Sequence, residues 1–159
     1  MSGYGVDTDE WQALPWEWAS ERLVANRNYW VTTVSGYGRP HSMPVWGEWD
    51  PVGDRFGFSC APDAFKARNL ATNAAVTITV DDTVEAISVE ADARTMPESS
   101  VDGFIDRYVA KYAESGGEQE LAQFIRSGLM FECTPVRAFA VIEREDEFAT
   151  RATRWRFPG

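Results

Sequence analysis

Ala75-Val-Thr-Ile-Thr-Val80, the turn Asp81-Asp82-Thr83 and the run from Val84 to Arg94 form the stretch that decides the fold. Apolar and polar residues alternate in the first run, β-branched side chains dominate it, and three residues are too few to hold a crossover helix. Those features predict an antiparallel strand pair rather than a βαβ unit. Upstream, Asn28-Tyr-Trp-Val-Thr-Thr-Val34 reads as a strand, and Ser35-Gly-Tyr-Gly-Arg-Pro40 as a hairpin-like connection. The strand expected over residues 41–50 contains Pro44, which removes one ladder donor and so marks an edge or a bulge. After the turn at residues 50–54, Arg55-Phe-Gly-Phe-Ser59 is a short third strand, and residues 63–72 read as a short helix. Five strands joined by tight turns, with one small helix inserted, predict an antiparallel barrel.

The flanks are helical. Pro15 is placed to open a helix over residues 16–26, with Glu17 near its positive end and Trp18, Leu23 and Trp11 as candidates for its buried face. Residues 1–10 look like a loose lead-in, and residues 11–157 are expected to form one domain. Beyond the barrel strands, Ser99, Ser100 and Asp102 start a helix whose Phe104, Ile105, Tyr108, Val109 and Tyr112 recur at spacings of three and four. Gly116-Gly117 ends it, and Leu121, Phe124 and Ile125 mark another short helix. Strands are expected over residues 130–134 and 137–143, followed by the tail Thr150-Arg-Ala-Thr-Arg-Trp-Arg-Phe157.

Composition narrows the function. The 159 residues are 44% hydrophobic and 25% charged, with a formal net charge of -10, which disfavours nucleic acid and anionic lipid as partners. No apolar run approaches the roughly 20 residues that cross a bilayer, and the polar, acidic N-terminus is unlike a signal peptide. A cytoplasmic protein is expected, with Cys60 and Cys133 as reduced thiols outside any Cys-x-x-Cys pattern. There is no GxGxxG or Walker sequence. His41 is the only histidine, so a multi-histidine metal site is excluded. A triad could be drawn from Ser42 or Ser59 with His41, but no nucleophile elbow is present.

In so acidic a chain the positions of the cations are informative. Lys66-Ala-Arg-Asn-Leu70 opens a helix after Ser59-Cys-Ala-Pro-Asp63, where free amides, the Lys66 ammonium and the Arg68 fork suit a phosphate. The same segment also reads as a solvated amphipathic helix. In the tail, Trp155 could cover a flat ring while Arg154 or Arg156 meets an anion, or the tail could be an edge strand sealing the barrel or a dimer seam.

Taken in order, Tyr29-Trp30 with Thr32-Thr33-Val34, Gly38-Arg-Pro-His-Ser-Met-Pro-Val-Trp-Gly47, Lys66-Ala-Arg-Asn-Leu70, Tyr108-Val-Ala-Lys-Tyr112 and Thr153-Arg-Trp-Arg-Phe157 resemble the pyridoxamine 5'-phosphate oxidase-like split β-barrels, and most closely the B branch of the flavin/deazaflavin oxidoreductases. The resemblance spans residues 11–157. It implies a mainly β, Greek-key split barrel with flanking helices, assembled as a homodimer with cofactor sites at the interface. Lys66 would bind the cofactor phosphate, and Ser42, Met43, Pro44, Val45 and Trp46 would lie along the ring, largely through backbone groups. Ser59, Ala67, Arg68 and Asn69 would complete the contacts, with Arg154 and Trp155 approaching the site. The Thr-Arg-Trp tail resembles users of coenzyme F420, a deazaflavin with a lactyl phosphate and an oligoglutamate tail.

That implies hydride transfer from the reduced deazaflavin to an electron-poor small molecule such as an enone or a quinone. Ala64-Phe65 stands where flavin mononucleotide oxidases of the family commonly carry an extra arginine, which speaks against pyridoxal phosphate synthesis and for the deazaflavin. Arg39, Arg55, Lys66 and Arg68 are the basic set expected to meet an anionic tail. A storage protein for the coenzyme, a flavin mononucleotide (FMN) enzyme, and a haem-binding protein using His41 are the competing expectations.

Overall fold

In the computed structural model, which describes residues 9–114 and 116–158, one residue forces the sheet to curl. The strands, in chain order, are β1 (Tyr29–Val34), β2 (Pro40–Val45), β3 (Gly47–Asp50), β4 (Arg55–Cys60), β5 (Ala75–Val80), β6 (Glu85–Thr95), β7 (Leu129–Ile142) and β8 (Thr153–Arg156). They form one sheet in the order β2-β1-β5-β6-β7-β4-β3, all pairs antiparallel, with β8 on β7. β2 and β3 sit at opposite ends of that order, yet only Trp46 separates them along the chain. Since consecutive Cα atoms are about 3.8 Å apart, the two ends must lie close together. The result is a curled half-barrel.

The single strand expected over residues 41–50 is therefore two, changing partner from β1 to β4 at Trp46. Gly47 makes the crossing possible, because a Cβ there would lie 2.2 Å from the Phe56 ring. The two closing strands expected over 130–134 and 137–143 are instead one fourteen-residue strand, β7. Its ladder with β6 runs Ala91↔Pro135 and then Glu90↔Arg137, so Val136 is the extra residue of a bulge. A bulge bends and twists the strand, and β7 uses it to pair β4 through its first part and β8 through its last.

The helices are α1 (Trp16–Ala25), α2 (Phe65–Leu70), α3 (Glu98–Tyr112), α4 (Glu118–Ser127) and α5 (Phe148–Arg151). α1 contributes Ala19 and Leu23 to the main core, which also takes Tyr29, Phe56, Phe58, Ile78 and Val89 from the sheet. Full burial of each large apolar side chain is worth about 1.5–3 kcal/mol. α3 buries Phe104, Ile105, Tyr108 and Tyr112 as its spacing predicts, and they form a second cluster with Ile125 of α4. Of the three residues that mark α4, Ile125 is buried and Phe124 is exposed. The tail forms the edge strand β8: Trp155 turns inward against Trp16, at 5.4 Å between ring centroids, and donates to the Leu14 carbonyl. Residues 1–8 of the expected lead-in lie outside the described residues.

Candidate functional site

α2 is the shortest piece of the site and the most firmly pinned. Asn69 Nδ2 donates to Thr33 Oγ1 at 2.9 Å, with both residues buried, and Ala67 enters the core beside it. The helix has six residues and no side-chain cap at Ala64. So short a segment has little dipole to offer an anion, and its usable charge is carried by side chains.

Register decides which parts of β2 face α2. Met43 pairs Val31 and His41 pairs Thr33, whereas Ser42 pairs Thr32 and Pro44 pairs Trp30. Successive side chains alternate, so His41 and Met43 share the α2 side while Ser42 and Pro44 look outward, where Thr32 Oγ1 donates to Ser42 Oγ at 2.9 Å. The alternation turns the Ser42 hydroxyl away from the His41 ring, although Ser42 also borders the cleft that His41 lines. A ligand would meet residues 42–45 together only along the backbone edge. Among the described residues β2 pairs with β1 alone, so its other edge carries N–H and C=O groups outside the ladder.

Two clefts open here and share a wall formed by His41 and Phe65. The first, about 490 Å³, is bounded by Val31, Thr33, Met43 and Ala64, with Lys66 in its lining. The second, about 860 Å³, is lined by Tyr37, Arg39, Arg68, Asn69 and Thr72. Phe65 stands 5.1 Å from the His41 ring, edge-on, and the Arg68 guanidinium lies 4.5 Å from the Phe65 centroid. Among the described residues, no carboxylate lines either cleft. Burial raises the pKa of the Cys60 thiol and the nearby Lys66 charge pulls it back down, so the ammonium is felt at the root of α2.

The remaining expected site residues go elsewhere. Ser59 hydrogen-bonds toward the Ile125 carbonyl at 3.4 Å. Trp46 stacks on Tyr112, with centroids 5.0 Å apart and planes 5° from parallel. Arg154 lies on the outward side of β8, its guanidinium 5.0 Å from the Phe139 centroid, whereas Trp155 faces the core of its own chain. Arg55, expected in the basic set, bonds the carbonyls of Gly53 and Asp54 and lines a different cavity. The sequence pointed to the cations but missed Phe65 as the dividing wall. The signal was there, in an aromatic residue directly before Lys66 on a helix too short to bury both.

A second polar region surrounds Gly47. Tyr112 Oη donates to the Gly47 carbonyl at 2.7 Å, and Lys111 Nζ donates to Tyr29 Oη at 2.7 Å. Burial pushes the Lys111 ammonium down to about 8, a shift that Glu48 opposes and Arg27 reinforces. Glu48 is itself buried, which raises its pKa against the pull of Arg107, whose Nε lies 2.9 Å from its carboxylate. Among the described residues, no three metal-ligating side chains converge, and no helix is long and apolar enough to cross a membrane.

A family model described as pyridoxamine 5'-phosphate oxidase matches residues 9–141. No curated protein matches the chain. Among solved structures, a conserved hypothetical protein of Mycobacterium tuberculosis superposes with a TM-score of 0.66 at 14% identity, covering 97% of this chain and 94% of its own. PhzG of Burkholderia lata 383, in complex with tetrahydrophenazine-1-carboxylic acid, gives 0.62 at 14% identity, covering 90% and 84%. HutZ, the heme storage protein of Vibrio cholerae, gives 0.60 at 19% identity, covering 75% and 88%.

Proposed function

The chain belongs to the pyridoxamine 5'-phosphate oxidase family, and on that footing we propose that it is a cytoplasmic, homodimeric oxidoreductase that holds coenzyme F420 between β2 and α2. The observation that carries this reading is Lys66. It has no carboxylate partner among the described residues, and it lines a cleft without acidic side chains in a chain of net charge -10. A phosphate there would be met by a charge-assisted hydrogen bond. The free edge of β2 offers backbone donors and acceptors to the polar rim of a flat ring, and Met43 with Val31 offers an apolar wall. These residues fit the group.

Bound there, the reduced deazaflavin would supply a hydride to an electron-poor acceptor of the enone or quinone type. The protein's part is to hold donor and acceptor in register and keep competing chemistry out. Ser42, Met43, Pro44 and Val45 would do this through the strand edge, with Ala67 and Asn69 fixing the helix that presents Lys66. Trp30, Ser42 and Pro44 lie on the outward face of β1 and β2, exposed and without a covering helix. A second copy of the chain covering that face would complete the homodimer.

Fluorescence titration with coenzyme F420 beside FMN tests the reading, and saturable preference for the deazaflavin is the expected result. Preference for FMN would replace the cofactor and keep the site. Tight binding without turnover of any enone or quinone would make the protein a store for the coenzyme. Haem is the second reading, favoured by the fold shared with HutZ. It needs His41 as a ligand, so a haem absorption band that survives His41→Ala would remove it.

A further inference from the structure

Among the described residues, His41 and Phe65 alone line both clefts. Donor and acceptor must touch for a hydride to pass, so a ring in one cleft and an acceptor in the other meet at this wall. Phe65 has no proton to give there. His41 is fixed in the wall by its ladder pairing with Thr33 and by the Phe65 ring, edge-on at 5.1 Å. Its imidazole is half-buried and, among the described residues, takes part in no hydrogen bond or ion pair.

The other protic groups of the clefts are committed or distant. Thr33 Oγ1 accepts from Asn69, Thr72 Oγ1 donates to the Asn69 carbonyl at 3.1 Å, and Ser42 Oγ accepts from Thr32. Tyr37 stands wholly exposed at the hairpin tip and lines the larger cleft but not the smaller. Lys66 is taken by the phosphate.

Hydride addition to an enone leaves one proton still to be delivered. A C–H bond forms at the β-carbon, the C=C electron pair moves toward the carbonyl, and negative charge collects on its oxygen. We propose that the His41 imidazolium is the proton donor that completes this reduction. Its N–H bond breaks, the proton goes to the enolate, the electron pair stays on nitrogen, and water restores the imidazolium. The two electrons gained by the acceptor are those lost by the deazaflavin. The inference rests on the functional reading above.

The charged and titratable groups that face His41 are Lys66 and Arg68 of α2 and Tyr37 and Arg39 of the hairpin. Val31 and Thr33 of β1 carry no charge. Lysine, arginine and tyrosine as classes hold their protons to about pH 10 or beyond, whereas imidazole titrates between about pH 5 and 8. A donor must be protonated, so the contribution of His41 should fade as the pH rises through that range.

The test follows single-turnover reduction of cyclohex-2-enone and of menadione by wild type, His41→Gln and His41→Asn, each saturated with reduced coenzyme F420. A quinone that takes a hydride becomes a hydroquinone anion, which is stable in water and needs no donor. The expected result is a loss at least tenfold greater on the enone than on the quinone in both variants. General acids contribute about 10²–10⁴-fold, and water stands in for part of that. The ratio of wild type to variant on the enone should shrink as the pH is raised. Equal losses on the two acceptors overturn the donor, as does a wild type that binds the coenzyme and reduces no enone.

Binding gives a second readout that needs no variant to fold. His41 is the only histidine, so its ring gives one identifiable proton NMR signal. Oxidised coenzyme F420 should move that signal in step with its own binding. Binding that leaves the signal in place overturns the donor and keeps the functional reading. If the wild type binds no deazaflavin at all, both fall.

Discussion

Around Gly47, where α3 meets β3, charge is consumed by the fold: Arg107 reaches Glu48 and, at 3.6 Å, Asp50, and Lys111 donates to Tyr29. Around Phe65, where α2 meets β2, charge is left over: Lys66, Arg39 and Arg68 have no carboxylate among the described residues and face clefts that hold none. Both regions set lysine or arginine beside aromatic rings, against strands that follow one another in the chain. Pairing is therefore a better guide to role than the presence of charge. A buried carboxylate with its arginine satisfies the fold's own needs, whereas cations set out without partners have their free energy of interaction still to be realised with a ligand.

Breaking the first region should show in stability. Arg107→Ala leaves Glu48, 5% exposed, without its hydrogen-bonded guanidinium. Stranding a buried charge costs about 3–5 kcal/mol, and because Arg107 is itself partly exposed the lower end of that range is expected. Urea unfolding measures the loss, and deazaflavin affinity should stay within about twofold of wild type. An affinity that fell as steeply as the stability would mean the two regions are one.

Breaking the second should show in binding. Lys66→Ala is expected to weaken deazaflavin affinity by about 1.5–3 kcal/mol, the scale of a hydrogen bond to a charged group. That is roughly a tenfold to 150-fold rise in Kd. The melting temperature should hardly move, since Lys66 is in no ion pair among the described residues. An unchanged Kd would put the phosphate elsewhere and leave the α2 cations as solvated charge.

Much of this contrast was legible in the sequence, and its limits have physical causes. The alternation of residues 75–80, the 3-and-4 spacing of Phe104, Ile105, Tyr108 and Tyr112, and the two cations Lys66 and Arg68 within three residues of an acidic chain are local signals, and they led to β5, α3 and α2. The break at Trp46 is not local. It depends on Gly47 meeting Phe56 across the sheet, a contact no window of sequence contains. The continuity of β7 was hidden for a related reason, since Pro135 reads as a stop until the bulge at Val136 absorbs it. In the site, strand periodicity alone would have separated Ser42 and Pro44 from Met43. Which of Arg39, Arg55 and Arg68 would stand together could not be read at all, because Arg55 is captured by the carbonyls of its own turn.

The smallest effect expected is also the sharpest probe of the Gly47 region, and it is a dependence on pH. An unfolded lysine holds its proton to about pH 10.5, whereas burial brings the folded Lys111 down to about 8. Between those values the unfolded chain binds more protons, so this residue makes stability rise with pH from about 8 upward. Below 8 both states are protonated, and the cost of burying the ammonium is present in full. Tyr29, Tyr112, Cys60 and Cys133 act in the opposite sense, because burial raises their pKa values and the unfolded state releases its protons first. They are common to the wild type and to Lys111→Met, so the difference between the two proteins isolates Lys111. Melting temperatures at pH 7.5, 8.5 and 9.5 should converge upward on the variant's as the wild-type ammonium loses its charge, if Lys111 is a buried cation held at a cost. A gap that is constant across the three values would mean that Lys111 is solvated like the cations at Phe65, and the contrast between the two regions would rest on Glu48 and Arg107 alone.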